Sequence, residues 1–280
     1  IRNTIQVVLN GVVVVDTGSA AGAPAVLAAI KRISPRPIRY VIDTGPDADH
    51  VGGNEALATA GEKLFGGSLL GGGAQNAASN AAERAAPILS AEGVLRHMAS
   101  LPAGGWPTEV FHYSRKAMYL NGEAIEVLHQ PAAHTDSDVF AFFRRSDVVV
   151  AGDVLDTRQF PVIDVERGGS IQGEIAALNR LAEIAVPSTP VVTREAGTIV
   201  VPGHGRLCDQ YDVVEYRDMV TIIRDRVRDL IKAGRSLAEV KAAQPARGYI
   251  GRYGNPDRFV EAIYTTLGRA GLSGPRGAAR

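Results

Sequence analysis

The sequence predicts an α+β protein in which mixed β-sheets are covered by helices, and three observations predict it. Short β-branched runs, such as residues 12–15 and 148–150, are bounded by Gly, Asn and Asp. Stretches with apolar residues at helical spacing separate these runs and dominate the C-terminal third. No segment repeats at a fixed period.

Residues 5–15 read as two strands around an Asn10-Gly11 turn, a strong hairpin signal, and Asp16-Thr17-Gly18 ends the second strand. A helix over about 22–33 places Val26, Leu27, Ile30 and Ile33 on one face. Residues 39–42 form a short buried strand that leads into a 43–50 loop, and a helix over 54–61 begins where that loop ends. Within 66–104, Gly66-Gly67 and Gly71-Gly72-Gly73 interrupt the chain, while the Ala/Asn-rich stretch 74–86 has good helix propensity and little apolar surface. One or two helices are expected there, either a loosely packed lid or a plain surface pair.

Strands are expected at 108–112, 116–120 and 123–129, the last two joined by Asn121-Gly122. A further hairpin joins 139–143 to 148–151. A helix spans about 171–185, and a strand at 198–201 feeds Pro202-Gly203-His204-Gly205. Residues 212–233 place Tyr216, Met219, Val220, Ile223, Val227, Leu230 and Ile231 on one stripe. Ser236 and Glu239 have capping-box spacing, and Asn255-Pro256 opens a helix over 256–268. One domain is expected over 1–268, helical from 206, with a disordered tail at 269–280.

Thirty basic and thirty acidic side chains cancel, so no global field draws this chain to nucleic acid or an anionic membrane. An apolar content of 45% over 280 residues suffices for a well-buried core. The one cysteine, Cys208, has no partner for an internal disulfide, which leaves the compartment open. The chain begins at Ile1 without a methionine, so removal of an N-terminal segment by processing or truncation is expected. No apolar run approaches the roughly 20 residues a membrane span needs. A soluble protein acting on a small molecule is expected, its oligomeric state open.

Six histidines are present. His97, His112 and His129 lie in or beside expected helices and strands and read as ordinary imidazoles. His50, His134 and His204 differ, because each follows a strand and sits among turn residues. Asp153 follows the 148–152 run in the same way. Four strand ends bearing imidazole and carboxylate donors can converge at one sheet edge, and such donors suit a divalent cation.

The order of motifs is specific. Asp16-Thr17-Gly18 is followed by Asp49-His50-Val51-Gly52-Gly53-Asn54, then by His134-Thr135-Asp136-Ser137-Asp138, Ala151-Gly152-Asp153 and Pro202-Gly203-His204-Gly205. Over about residues 5–210 this resembles the metallo-β-lactamase superfamily. The helical part from 206 to 268 is similar to that of its general bacterial metallo-hydrolases rather than its dedicated antibiotic-hydrolysing members. The resemblance implies a four-layer αββα sandwich with metals at one sheet edge.

It also implies a second metal position made by Asp49, His50 and His204, with Asp153 as a bridging carboxylate. The first position would take residues 45, 47 and 134 with Asp153 shared, but Gly45 and Asp47 stand where the family has histidines, leaving His134 as its imidazole. The implied cofactor is one tight zinc with a weak or absent second metal, and the carboxylate-rich set also admits Mn²⁺ or Fe²⁺. Asp49, with Asp47, would orient or deprotonate the attacking water. Asp16 would brace the metal loop through a hydrogen bond to a ligand, unless it forms an ordinary Asx turn.

The implied activity is hydrolysis of an ester, lactone, thioester or amide, β-lactams included. The alternative is a catalytically impaired metal- or ligand-binding descendant, with redox or sulfur chemistry ranked last. Loops at 66–106 and 156–171 are expected to wall the pocket, with Trp106, Tyr113 and Phe160 as candidate lining residues.

Overall fold

The computed structural model describes residues 4–8, 11–63, 84–99, 102–188 and 197–272, with side chains described over 11–268 of these. Two compact units emerge: residues 1–129 with 137–152, and residues 130–136 with 153–280.

The first unit is built on a five-stranded sheet with strands in sequence order: β1 (Thr4–Val8), β2 (Gly11–Val15), β3 (Ile38–Ile42), β4 (Ile88–Ala91) and β5 (Glu109–Phe111). β1 and β2 form the expected antiparallel hairpin, with Val8 opposite Gly11. β2, β3, β4 and β5 then run parallel. A parallel strand covered on both faces must be apolar throughout rather than alternating, and Val12, Val13, Val14 and Val15 are all fully buried. One face meets helices α1 (Ala23–Ile33) and α3 (Asn54–Thr59), where Val12, Val14, Ile30, Ile38, Val41 and Leu57 share a core. Between β3 and α3 the chain makes a single helical turn, α2 (Ala48–Val51), which local periodicity does not reveal.

Strand β4 is a departure from expectation, since the sequence predicts only helix within 66–104. Its four residues are wholly buried, too few to show a period and flanked by alanine. The helix α4 (Glu92–His97) does follow it. The expected helix at 74–86 lies mostly outside the described residues.

The second sheet has the order β10-β9-β8-β7-β6. β6 (Arg115–Leu120) and β7 (Glu123–Gln130) pair antiparallel around Asn121 and Gly122, both at positive φ as a tight hairpin turn requires. β8 (Asp138–Phe143) pairs with the start of β9 (Val148–Asp156). β9 outruns its expected end by five residues, so Asp153 lies inside a strand rather than after one.

The second unit carries the end of β9, β10 (Ile199–His204) and the helices α5 (Ile171–Ile184), α6 (Gln210–Lys232), α7 (Leu237–Ala242), α8 (Ile250–Tyr253) and α9 (Asp257–Leu272). Tyr216, Met219, Val220, Ile223 and Val227 are buried along α6, as the spacing predicts; Val213 joins them, while Leu230 and Ile231 are only half-buried. Ser236 and Glu239 make the capping box that starts α7, and Asn255 Oδ1 accepts from Asp257 N at 2.8 Å where α9 begins.

Two substitutions test this packing by urea denaturation. Leu57→Ala, at a fully buried position under the first sheet, is expected to cost about 2–5 kcal/mol. Ser236→Ala removes only a helix cap and is expected to cost about 1 kcal/mol.

Candidate metal centre

The first unit presents three of the candidate ligands on one short stretch. β3 ends at Ile42, and Asp43–Pro46 carry the chain to Asp47, which is the N-cap of α2 in extended backbone. The carbonyl of Asp47 accepts from His50 N and Val51 N at 2.8 and 3.0 Å, closing a single turn that bears Asp49 and His50.

That turn is held from beneath by Asp16. Its backbone has φ +58, a left-handed conformation that an L-residue adopts at a cost of roughly 1 kcal/mol. What keeps it there is its side chain. Asp16 Oδ1 accepts from Thr44 N at 2.8 Å, while Oδ2 accepts from Thr44 Oγ1 at 2.7 Å and from His50 Nδ1 at 2.8 Å. Both partners of the His50–Asp16 pair are 1% exposed. Because Nδ1 carries the proton donated to Asp16, the lone pair of His50 resides on Nε2, the state a metal ligand needs. Asp16 is therefore more than the residue of an Asx turn.

A second buried network secures the other end of the motif. Thr17 N donates to the carbonyl of His50 at 2.7 Å, and Thr17 Oγ1 accepts from Gly53 N at 3.1 Å. Asn54 Nδ2 donates to Asp43 Oδ2 at 2.9 Å and to the carbonyl of Gly105 at 3.1 Å. Burial pushes the Asp43 carboxyl well above the usual carboxylate range, the Asn54 bond and His50 opposing this only in part. The sequence reading gave no role to Asp43, Thr44 or Asn54. Asn54 entered only as the last residue of the Gly52-Gly53-Asn54 motif, and a polar residue at a helix start carries no local sign of such a bond.

The second unit gathers three more candidates. His134 lies in the 130–136 loop, held at Ala132, whose carbonyl accepts from Ser170 N and Oγ at 2.9 and 3.1 Å; Ser170 Oγ also caps α5. His134 Nδ1 donates to the carbonyl of Val162 at 2.6 Å, so again Nε2 holds the lone pair. His204 is the last residue of β10, and its carbonyl accepts from Thr157 N at 3.2 Å. Asp153 lies between these imidazoles. Its Oδ1 is 3.5 Å from His204 Nε2, and its Oδ2 is 4.0 Å from His134 Nε2.

Asp153 follows a kink at Gly152, whose φ of +55 admits glycine readily. A Cβ there would lie 2.6 Å from Thr44 Oγ1, so the same threonine that Asp16 holds also requires glycine at 152. At Gly45 the situation differs. A Cβ would meet only Asp138 Oδ1, at 3.5 Å, an ordinary contact.

His112, read as an ordinary imidazole, is an exposed partner of Glu92 at 2.8 Å. Phe160 is buried in an aromatic cluster with Tyr253 and Phe259, at ring separations of 5.4 and 5.8 Å, so it packs a core rather than lining a cleft. Trp106 packs on Val51, Val94 and Met98, and Tyr113 is exposed.

Two five-stranded sheets with helices, and this set of loop residues, define a metallo-β-lactamase-fold protein. Residues 7–64 match the family model described as the metallo-beta-lactamase superfamily. Among solved structures, a metallo-beta-lactamase from Pontibacter korlensis is 19% identical, with a TM-score of 0.57 over 78% of this chain and 86% of that one. A double mutant of the sec-alkyl sulfatase PisA1 is 15% identical, with a TM-score of 0.69 over 98% of this chain and 49% of that one. The stereoselective inverting sec-alkylsulfatase Pisa1 from Pseudomonas sp. is 15% identical, with a TM-score of 0.65 over 94% and 46%. The chain thus spans about half the length of the alkylsulfatases it resembles. No curated protein sequence matches it.

Asp16→Asn removes the acceptor charge that holds the His50 tautomer. It is expected to weaken divalent-metal affinity about 10–100-fold, measured by competition with a chromogenic chelator. Asp43 sets a pH dependence of opposite sense to an ordinary acid. Its folded-state pKa is raised, so its contribution to stability is complete below the ordinary carboxylate range and is lost as pH rises towards the folded value. Asp43→Asn keeps an acceptor for Asn54, and its urea stability is expected to fall less than the parent's between pH 4 and pH 8.

Proposed function

We propose that the protein is a metal-dependent hydrolase of an ester, lactone, thioester or amide. The observation that carries this reading is one carboxylate, Asp153, set between two imidazole Nε2 atoms at 3.5 and 4.0 Å. Support comes also from the donors each unit carries by itself: Asp47, Asp49 and His50 in the first, and His134, Asp153 and His204 in the second. A set of neutral imidazoles and carboxylates, with the tautomers of His50 and His134 fixed by their Nδ1 partners, fits a borderline divalent cation such as zinc.

Asp49, His50 and His204 would hold the tighter cation, and Asp47, His134 and Asp153 a weaker one. A cation held there would supply Lewis acidity, lowering the pKa of water and polarising a carbonyl. The protein's own residues do the rest. Asp49, with Asp47, orients the water and accepts its proton, while Asp16 fixes the imidazole of His50. With one imidazole at the weaker position, zinc is expected at one site per chain, and the shorter carboxylate of Asp47 leaves the second labile.

The glycine at 45 favours a second reading, a descendant that binds metal or ligand without turnover, because it removes a ligand without closing the space. The two readings separate by experiment. Protein purified without chelator is expected to carry close to one zinc by elemental analysis, and its hydrolysis of an ester and lactone panel is expected to disappear on chelation. Hydrolysis that survives complete metal removal overturns the proposal. Gly45→His combined with Asp47→His is expected to raise the metal content towards two. If only that variant turns over substrate, the parent is the impaired descendant.

A further inference from the structure

Beside α2 the first unit holds a cavity of about 550 Å³, within the ~300–1,000 Å³ range of small-molecule sites. Asp49 stands on its wall. So do Ala20, Ala21, Ala48, Val51, Met98 and Pro102, and the wall is overwhelmingly apolar. Val51 and Met98, 2% and 1% exposed, belong to a packed cluster and make a firm floor. The charged groups on the wall are two carboxylates, Asp49 and Glu55; among the described lining residues there is no Lys, Arg or His.

We propose that this cavity binds an uncharged apolar acyl or alkyl arm of the substrate. The inference rests on the hydrolase reading, because it is Asp49, at one end of the cavity, that ties the arm to the reacting carbonyl. Apolar walls reward each methylene removed from water, and the Glu55 carboxylate, with no Lys, Arg or His among the described lining residues, disfavours an anionic arm of the same length. The substrate class narrows accordingly. It is a neutral ester, thioester or lactone with a medium-length hydrocarbon chain, in preference to a carboxylate-bearing compound. Ala20, Ala21 and Ala48 contribute only methyl groups to the wall, which leaves room beside them for a hydrocarbon chain.

The test is a series of p-nitrophenyl esters from acetyl to octanoyl, assayed with the zinc-loaded wild type. The value of kcat/KM is expected to rise about two- to fourfold per added methylene. The adipoyl half-ester, matched in length but anionic, is expected to fall at least tenfold below the hexanoyl ester. Ala21→Glu and Pro102→Glu, at exposed positions on the rim, are each expected to flatten the chain-length slope. A flat wild-type slope, or a slope unchanged in both variants, overturns the inference while leaving the hydrolase intact. Should no ester be hydrolysed, calorimetric binding of 1-octanol separates the two ideas. Binding that Ala21→Glu and Pro102→Glu weaken at least fivefold keeps the arm site and removes the hydrolase reading. No binding removes both.

Discussion

A single buried carboxylate, Asp16, fixes the geometry of the loop that bears Asp49 and His50. It sits at the end of β2 in a left-handed conformation, and its two oxygens take three hydrogen bonds from Thr44 and His50. The strain of the backbone is small beside those bonds, two of which are to neutral donors and one to an imidazole whose orientation they determine. Three features of the loop follow. Thr44 is pinned, and so Gly152 must be glycine. His50 presents Nε2 rather than Nδ1. The helical turn bearing Asp49 is stitched to the sheet before any ligand arrives.

The second constraint is burial without charge. Asp43 lies fully inside the sheet edge, 0% exposed, with a carboxyl that burial keeps protonated well into the range where an exposed one would ionise. Together with Asn54 and Thr17 it forms a buried polar support beneath the loop. The candidate carboxylate ligands are other residues: Asp47, Asp49 and Asp153. One of them, Asp49, stands on the wall of a mostly apolar cavity, and no Lys, Arg or His is among its described lining residues.

Much of the fold was readable in the chain because local chemistry carried it. The expected β1–β2 hairpin forms, though Gly11 already belongs to β2; Asn121-Gly122 turns its hairpin, Ser236 with Glu239 starts its helix, and the stripe from Tyr216 to Val227 is buried as spaced. What failed did so for stated reasons. β4 is four buried residues with no alternation, and nothing but pairing with β3 and β5 makes it a strand. Trp106 and Phe160 looked like pocket walls because aromatic residues in loops have no sequence signature that separates lining from packing. Their neighbours decide, and those neighbours are distant in sequence.

The sequence by itself determined which donors exist: a histidine or aspartate after each of several strands, and a glycine and an aspartate where a fuller ligand set would have imidazoles. Composition and motif order determined that much because side-chain chemistry does not depend on folding. Only the tertiary structure decided which nitrogen of His50 and His134 is presented, that Asp153 lies between two imidazoles, and that an apolar cavity adjoins Asp49. Those outcomes depend on hydrogen bonds and packing between residues distant in sequence, such as His50 with Asp16 and Ala20 with Pro102, and no local pattern encodes them.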